Sequence, residues 1–388
     1  MSEQTGTNKS SRRDFVKMAA TGVVGAAVGA VAGNYYGAQT TLTEEENLRV
    51  QLEDLKKKIP VQPENEVKIY TWSEYIHDYL IEVFKMNTDI NVVYDTFESP
   101  DEMRAKVTTG QSGYDVVMVP DYMVPELIDL GLLAELDTVL LPNMIHLDDR
   151  FKNPQYDPGI KHSIPYLWGT TGVGWNSAKV TDPVTSWADV FEPERVKKYE
   201  KTVTMLEEMR EPIGAALKYL GYSINDVDEG HLNEAKELLL AQKPYLAKYT
   251  GALEYIPGLA GGRFMISQAY SGDVFVATDD NPDVKYTIPK EGCTVWADNM
   301  TVLKNAAHPI AAHAWINYIL DPTVIAIISN VRYYANPNKD SFPFLSDRMA
   351  NDPEINLPED VYRKLEWLNP PTQEDLQKYQ DIWLEVVG

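Results

Sequence analysis

One cysteine, Cys293, stands among 388 residues. An internal disulfide is therefore excluded, and so is any iron–sulfur or multi-cysteine zinc centre. Cys293 lies between apolar neighbours in a β-prone run, where a buried, inert thiol is expected. Histidine is almost as sparse: His77, His146, His162, His231, His308 and His313 are scattered along the chain. His308 and His313, five apart, do not share a helix face, so they form no metal-binding pair of helical spacing. Positive charge is also short. Lys and Arg number 35 against 58 Asp and Glu, a net charge of −23. That balance argues against nucleic acid or an anionic membrane as the main partner, and for high solubility or a cationic ligand. Salt adaptation would give the same sign, but lysines outnumber arginines and aromatics are plentiful, which ranks it lower. A glycine-rich phosphate loop of recognised spacing is missing, as is the G-x-S-x-G nucleophile elbow. A catalytic reading has little to stand on, and no cofactor is implied.

Long apolar runs are absent except at the start. Ser11-Arg12-Arg13-Asp14-Phe15-Val16-Lys17 precedes an uncharged stretch of Ala, Gly and Val from Met18 to Gly33. The pattern resembles a twin-arginine export signal, and residues 1–40 are read as that signal and its apolar segment. Ala30-Val31-Ala32 supplies a small-residue cleavage site. The apolar run, about fifteen residues, is short for a stable span, and no cysteine is near for lipid attachment. Export leaves open whether the segment is cut or kept as an anchor. Next, Leu48, Leu52, Leu55 and Ile59 recur at spacings of four, three and four, an amphipathic helix or linker over 41–63. Two heptads suit either a stalk or a solvated helix. Pro60 and Pro63 break it.

Val67 to Trp72 reads as a strand, Tyr79 to Lys85 as a helix, and Ile90 to Thr96 as a second strand. Met103 to Thr109 follows as helix, Tyr114 to Val119 as a buried strand, and Leu127 to Leu133 as helix. Alternation of this kind predicts an α/β fold with mainly parallel sheets flanked by helices. Ligands then sit beyond the carboxyl ends of the strands. Those ends here carry Trp72-Ser73-Glu74-Tyr75 and Pro120-Asp121-Tyr122.

The aromatic-and-acid theme is sharpest in EGCTVWADNM, residues 291–300. At strand period Trp296 and Asp298 project from one face, about 7 Å apart along the chain. A flat π surface beside a carboxylate is what an organic ammonium needs: the ring attracts the cation and the carboxylate takes its N–H donors. On this motif alone, a core tryptophan beside a turn-forming aspartate is the commoner case.

The blocks IYTWSEY, YDVVMVPDYMV, SIPYLWGTTGVGWN, SWADVFEPE, ALKYLGYS and EGCTVWADN, in order from Val67 to about Asn369, resemble the spermidine/putrescine-binding proteins of polyamine ABC importers. The resemblance implies a two-lobed periplasmic-binding-protein fold of type II kind, with ligand between the lobes. Its crossings would fall near Trp168-Gly169, near Trp296–Asp298 and after Tyr334. Lobe one would then be 64–168 with 298–335, and lobe two 169–297 with 336–388. It implies a polyamine as ligand, an ABC importer permease and the twin-arginine export machinery as partners, and a periplasmic or cell-surface location.

Carried over residue by residue, the resemblance assigns Trp72, Ser73 and Tyr75, and then Tyr122, to lobe one's contribution. Pro120 replaces a family serine, with Asp121 beside it as a substitute. The segment Glu207 to Glu211 matches a family D-D-x-R-E pattern, giving Glu208 and Glu211 as amine-gripping carboxylates. They also stand at the start of a helix read from Pro212 to Leu220 and ended by Gly221, where acids in the first turn suit the helix dipole whatever the ligand. Tyr270 stands where the spermidine binder has a tryptophan. Trp296 and Asp298 match unchanged, and Tyr334 matches a family tyrosine, with Tyr333 adjacent. Leu368 replaces a glutamine that contacts an amine. Loss of that polar group points to a short diamine, putrescine, over spermidine. A binder of another organic cation, or a sensor subunit, would share the fold; a twin-arginine-exported enzyme is the remote third reading.

Overall fold

In the computed structural model the described residues are 64–73 and 75–388. The signal-type segment, the heptad stretch and Glu74 lie outside them. The chain opens with β1 (Glu66–Trp72), α1 (Asp78–Thr88), β2 (Asn91–Phe97), α2 (Pro100–Thr108), β3 (Val116–Pro120) and α3 (Val124–Asp129). These follow the expected alternation within a few residues. The start of α1 is set by His77, whose ring nitrogen accepts from the Tyr79 amide, and that of α2 by Ser99, which accepts from Glu102. Each supplies an acceptor for amides that have no partner within the helix.

Two long strands hold the molecule together. β4 (Ser163–Asn176) is buried along nearly its whole length, and β9 (Thr294–Val302) likewise. Between them come β5 (Val203–Leu206), α4 (Arg210–Leu220), α5 (Glu229–Gln242), β6 (Leu246–Thr250), α6 (Ala252–Ala260), β7 (Ile266–Tyr270), α7 (Ser271–Asp280) and β8 (Val284–Thr287). After β9 follow α8 (Pro309–Ile319), α9 (Pro322–Arg332), the two-residue β10 (Glu366–Trp367) and α10 (Gln373–Val387).

The strand order is β2-β1-β3-β9-β4-β7-β5-β6, with β8 paired to β4 and β10 to β9. Parallel pairing builds β2-β1-β3 at one end and β7-β5-β6 at the other. Antiparallel pairing through β9 and β4 joins the two groups. Along β9, residues Asp298 to Val302 pair with β3, while Thr294 and Val295 pair with β10. β4 pairs with β9 from Ser163 to Thr171 and with β7 from Thr171 to Trp175. Its ladder slips between Pro165 and Leu167, a bulge that adds local twist. The chain turns after α9. Tyr333 ends that helix at φ +58°, a left-handed value uncommon for a bulky residue. Two residues on, the Ala335 carbonyl accepts from the Trp168 amide at 2.9 Å.

Buried apolar side chains divide in the same way. One cluster runs from Val67 to Leu167 and resumes from Met300 to Tyr334, with Phe84 and Trp315 edge-on at 5.1 Å. A second gathers Trp168, Trp187, Ile213, Val295 and Ala297 with Tyr379 and Ile382 of α10. A third lies under α6 and α7 around Tyr255, Leu259 and Phe275. Cys293 is buried and unbonded to sulfur.

Candidate ligand-binding site

The strand ends of both groups meet around β9. Asp298 sits opposite Pro120 of β3 and Leu167 of β4. It is 7% exposed, and the Tyr75 hydroxyl donates to its Oδ2 at 2.7 Å. Burial pushes its carboxyl up to about 6, while Tyr75 and the Trp72 indole pull it back. The Trp72 Nε1–H nevertheless makes no hydrogen bond of good geometry, nor does that of Trp296. Both indole nitrogens are buried, and a buried donor without an acceptor is a cost.

Aromatic rings form a connected wall. Tyr270, at the end of β7, meets Trp296 edge-on at 5.7 Å; Trp296 meets Tyr334 at 5.2 Å; Tyr334 meets Tyr75 at 6.4 Å. Tyr334, not Tyr333, belongs to this wall, since the Tyr333 hydroxyl turns outward to Asp279 at 2.9 Å. Two glycines make room for it. A Cβ on Gly169 would come within 2.8 Å of the Trp296 ring, and one on Gly272 within 2.5 Å of the Tyr334 ring. Gly272→Ala is expected to displace Tyr334 and weaken ligand binding about tenfold, in line with the ~1–3 kcal/mol of an overpacked core. Equilibrium titration of the folded variant checks it, and undiminished affinity would remove Tyr334 from the wall.

The acids approach from several elements. In the turn before α4, Glu208 is half-buried, and the Tyr122 hydroxyl, from beyond β3, donates to its Oε1 at 3.4 Å. Burial raises its carboxyl to about 7, against the opposing pull of Arg210. Glu211 is deeper. Thr171 of β4 donates to Oε1 and Thr294 of β9 to Oε2, both at 3.0 Å. Burial, then the charge of Glu208, lift its carboxyl to about 8. Asp121 is 1% exposed and accepts from the amides of Tyr122 (2.8 Å) and Ala297 (3.4 Å). Those contacts clamp the turn after β3 against β9. Burial carries its carboxyl well above the usual range.

Ser73 does not join the cluster: its hydroxyl donates to Glu98, on the exposed side of the β1–β2 edge. Leu368 is 7% exposed. Asn225 holds both its flanks, donating to the Trp367 carbonyl at 2.8 Å and accepting from the Asn369 amide at 2.7 Å.

One acid escaped the sequence reading. Asp273, in the first turn of α7, accepts from Tyr334 at 2.6 Å and from Tyr255 at 2.5 Å. Burial raises its carboxyl as well. The signal was present in AYSGD, but an acid three residues into a helix is common enough to pass as a dipole partner. Together Asp121, Glu208, Glu211, Asp273 and Asp298 take their hydrogen bonds from hydroxyls and backbone amides. Among the described residues none of them forms a salt bridge.

A model of the bacterial extracellular solute-binding proteins matches residues 79–357. The chain belongs to that family. This solute-binding protein is 36% identical over 312 residues to the putrescine-binding periplasmic protein SpuD of Pseudomonas aeruginosa, covering 76% of this chain and 85% of that protein. It is 32% identical over 308 residues to the spermidine/putrescine-binding periplasmic protein of Escherichia coli, covering 79% and 87%. Among solved structures, a spermidine/putrescine ABC transporter substrate-binding protein from Streptococcus pneumoniae superposes with a TM-score of 0.76 at 28% identity. That match covers 83% of this chain and 98% of the other. The family is one of solute-binding proteins, so the enzyme reading is not favoured.

Proposed function

We propose that this protein captures a polyamine outside the cytoplasm and delivers it to the permease of an ABC importer. The observation that carries the proposal is a set of carboxylates, most of them buried, that form no salt bridge among the described residues and are set along a wall of aromatic rings. Burying several anions so is costly unless a cation arrives to pair with them. A diammonium fits: its charges pair with the acids and its methylenes lie against Tyr270, Trp296 and Tyr334. Likeness to putrescine- and spermidine-binding proteins over three quarters of the chain supports the same ligand class.

Within that class we favour putrescine. Leu368, buried and pinned by Asn225, offers no polar atom to a third amine, which would lose water without gaining a partner. Three relatives from Pseudomonas aeruginosa, at 36%, 34% and 30% identity, are named for putrescine, alone or with agmatine or cadaverine. Calorimetric titration with putrescine and spermidine tests this. Putrescine is expected to bind more tightly by about tenfold, the scale of ~1–3 kcal/mol for an unpaired polar group. Spermidine tighter by that factor would reverse the choice, and no binding of either would end the polyamine reading.

The two-lobed division, 64–168 with 298–335 and 169–297 with 336–388, is part of the same reading. It is supported by the change of partners along β4 and β9 and by the separate apolar clusters. Export by the twin-arginine route, with the apolar segment as signal or anchor, rests on the sequence pattern of residues 11–33. Mass measurement of the cell-associated protein distinguishes the cut from the kept form.

A further inference from the structure

Arg210 is the one arginine sited within the acidic segment Glu207–Glu211, and its surroundings are unusual for a buried cation. It is 4% exposed. Nη2 donates to the Asn225 side-chain oxygen at 3.2 Å and Nη1 to the Asn369 carbonyl at 3.4 Å. The guanidinium carbon lies 4.4 Å from the centre of the Tyr379 ring, and Nε is buried with no partner. Every identified contact is neutral; among the described residues no carboxylate forms a salt bridge with it. Buried arginines ordinarily pair with an anion, because an uncompensated charge in low dielectric is costly. Here the nearest acids along the chain are Glu208, two residues before, and Glu211, the next residue.

We infer that Arg210 is a positioning residue for amine capture. Its charge, held from behind by neutral groups, opposes the protons that burial leaves on Glu208 and Glu211, so that the two acids give them up more readily when the amine arrives. The inference rests on the polyamine reading above. The opposing influences are identifiable. Facing Glu208 are Asp101 in α2, Tyr122 beyond β3 and Tyr270 of β7; Asp101 and burial favour its proton, while Arg210 and Tyr122 oppose it. Facing Glu211 are Glu208 and, around it, Asp121, Cys293 and Tyr286. Among the described residues Arg210 is the cation that acts on Glu208 and Glu211 themselves, whereas Lys218, which acts on Cys293, is paired with Glu366. Arg210 favours the charged carboxylates by direct field, whereas the threonine hydroxyls do so by hydrogen bonding. The asparagine and tyrosine contacts from Asn225 and Tyr379 fix where that field originates.

The test is putrescine affinity measured by calorimetry from about pH 6 to about pH 9 for the parent and three variants, spanning the range in which the carboxyls titrate. In Arg210→Gln the pH at half-maximal affinity is expected to rise by about one unit, the size of effect a neighbouring opposite charge produces. Affinity at the alkaline end should approach that of the parent. Asn225→Asp places a carboxylate against Nη2, neutralises the guanidinium without removing it, and should shift the midpoint in the same direction; it carries the test if Arg210→Gln does not fold. Arg210→Lys, which keeps the charge, should leave the midpoint near the parent's. A purely structural anchor for residues 366–369 would lower affinity equally at every pH. An unchanged midpoint in Asn225→Asp, or in a folded Arg210→Gln, overturns the inference. Failure of the parent protein to bind at any pH would instead overturn the polyamine reading.

Discussion

Asp298→Asn is expected to weaken putrescine binding by roughly thirty-fold to several thousand-fold, the span of about 2–5 kcal/mol for losing one partner of a buried charge pair. Asp298 is placed where its loss cannot be covered. It lies on the strand shared by both halves of the sheet, opposite Pro120, which has no amide hydrogen to donate. Tyr75 occupies one lobe of Oδ2 at 2.7 Å, and the Trp72 indole also favours the charged carboxylate. Asparagine keeps the shape and the tyrosine contact but presents an amide to an incoming ammonium. Tyr75→Phe, by contrast, removes only a neutral donor and should cost no more than about tenfold, the worth of one ordinary hydrogen bond. Titration of both variants separates the roles. Equal, small losses would mean that Asp298 ties strands together and does not hold the ligand.

How far the site could be read from sequence depended on whether the chemistry was local. Trp296 and Asp298 are two residues apart on one strand, so strand period alone put ring and carboxylate on one face. The early β/α alternation gave the first three strands within two residues at each end, because each is a short β-prone apolar run set between helical patterns. Nothing local reveals that β4 runs on for 14 residues and changes partners midway. Its blocks read only as apolar, which fits any buried strand. Asp273 was hidden for a related reason: its partners, Tyr255 and Tyr334, are 18 and 61 residues away in sequence. Ser73 shows the converse. A hydroxyl in the right motif was claimed by Glu98, 25 residues on. The space for the aromatic wall rests on the missing side chains of Gly169 and Gly272, and such space is invisible until the rings are placed.

Putrescine affinity should fall steeply as pH is lowered from about 8 to about 6, and binding should release protons. In the ligand-free protein burial holds Asp298 at about 6, Glu208 at about 7 and Glu211 at about 8. Asp121 and Asp273 are raised too. A bound ammonium favours the charged carboxylate, so each acid that pairs with an amine must first give up its proton. Below these values affinity drops by about tenfold per pH unit for each proton displaced. Two amines displacing two protons make the limiting slope about a hundredfold per unit. The sign for stability is opposite in the empty protein. Ordinary values are 3.8 for aspartate and 4.5 for glutamate, so between those values and about 8 the native cluster retains protons that the unfolded chain has lost. Raising pH through that window therefore lowers the stability of the empty protein. Saturating putrescine should flatten the trend, because the bound acids, like those of the unfolded chain, are already charged. Calorimetry in two buffers of different ionisation enthalpy counts the protons released. Melting temperatures at about pH 6 and about pH 8, with and without putrescine, check the sign. Binding heats identical in both buffers, with a flat pH profile of affinity, would mean that the cluster is already ionised in the empty site and that another cation balances it.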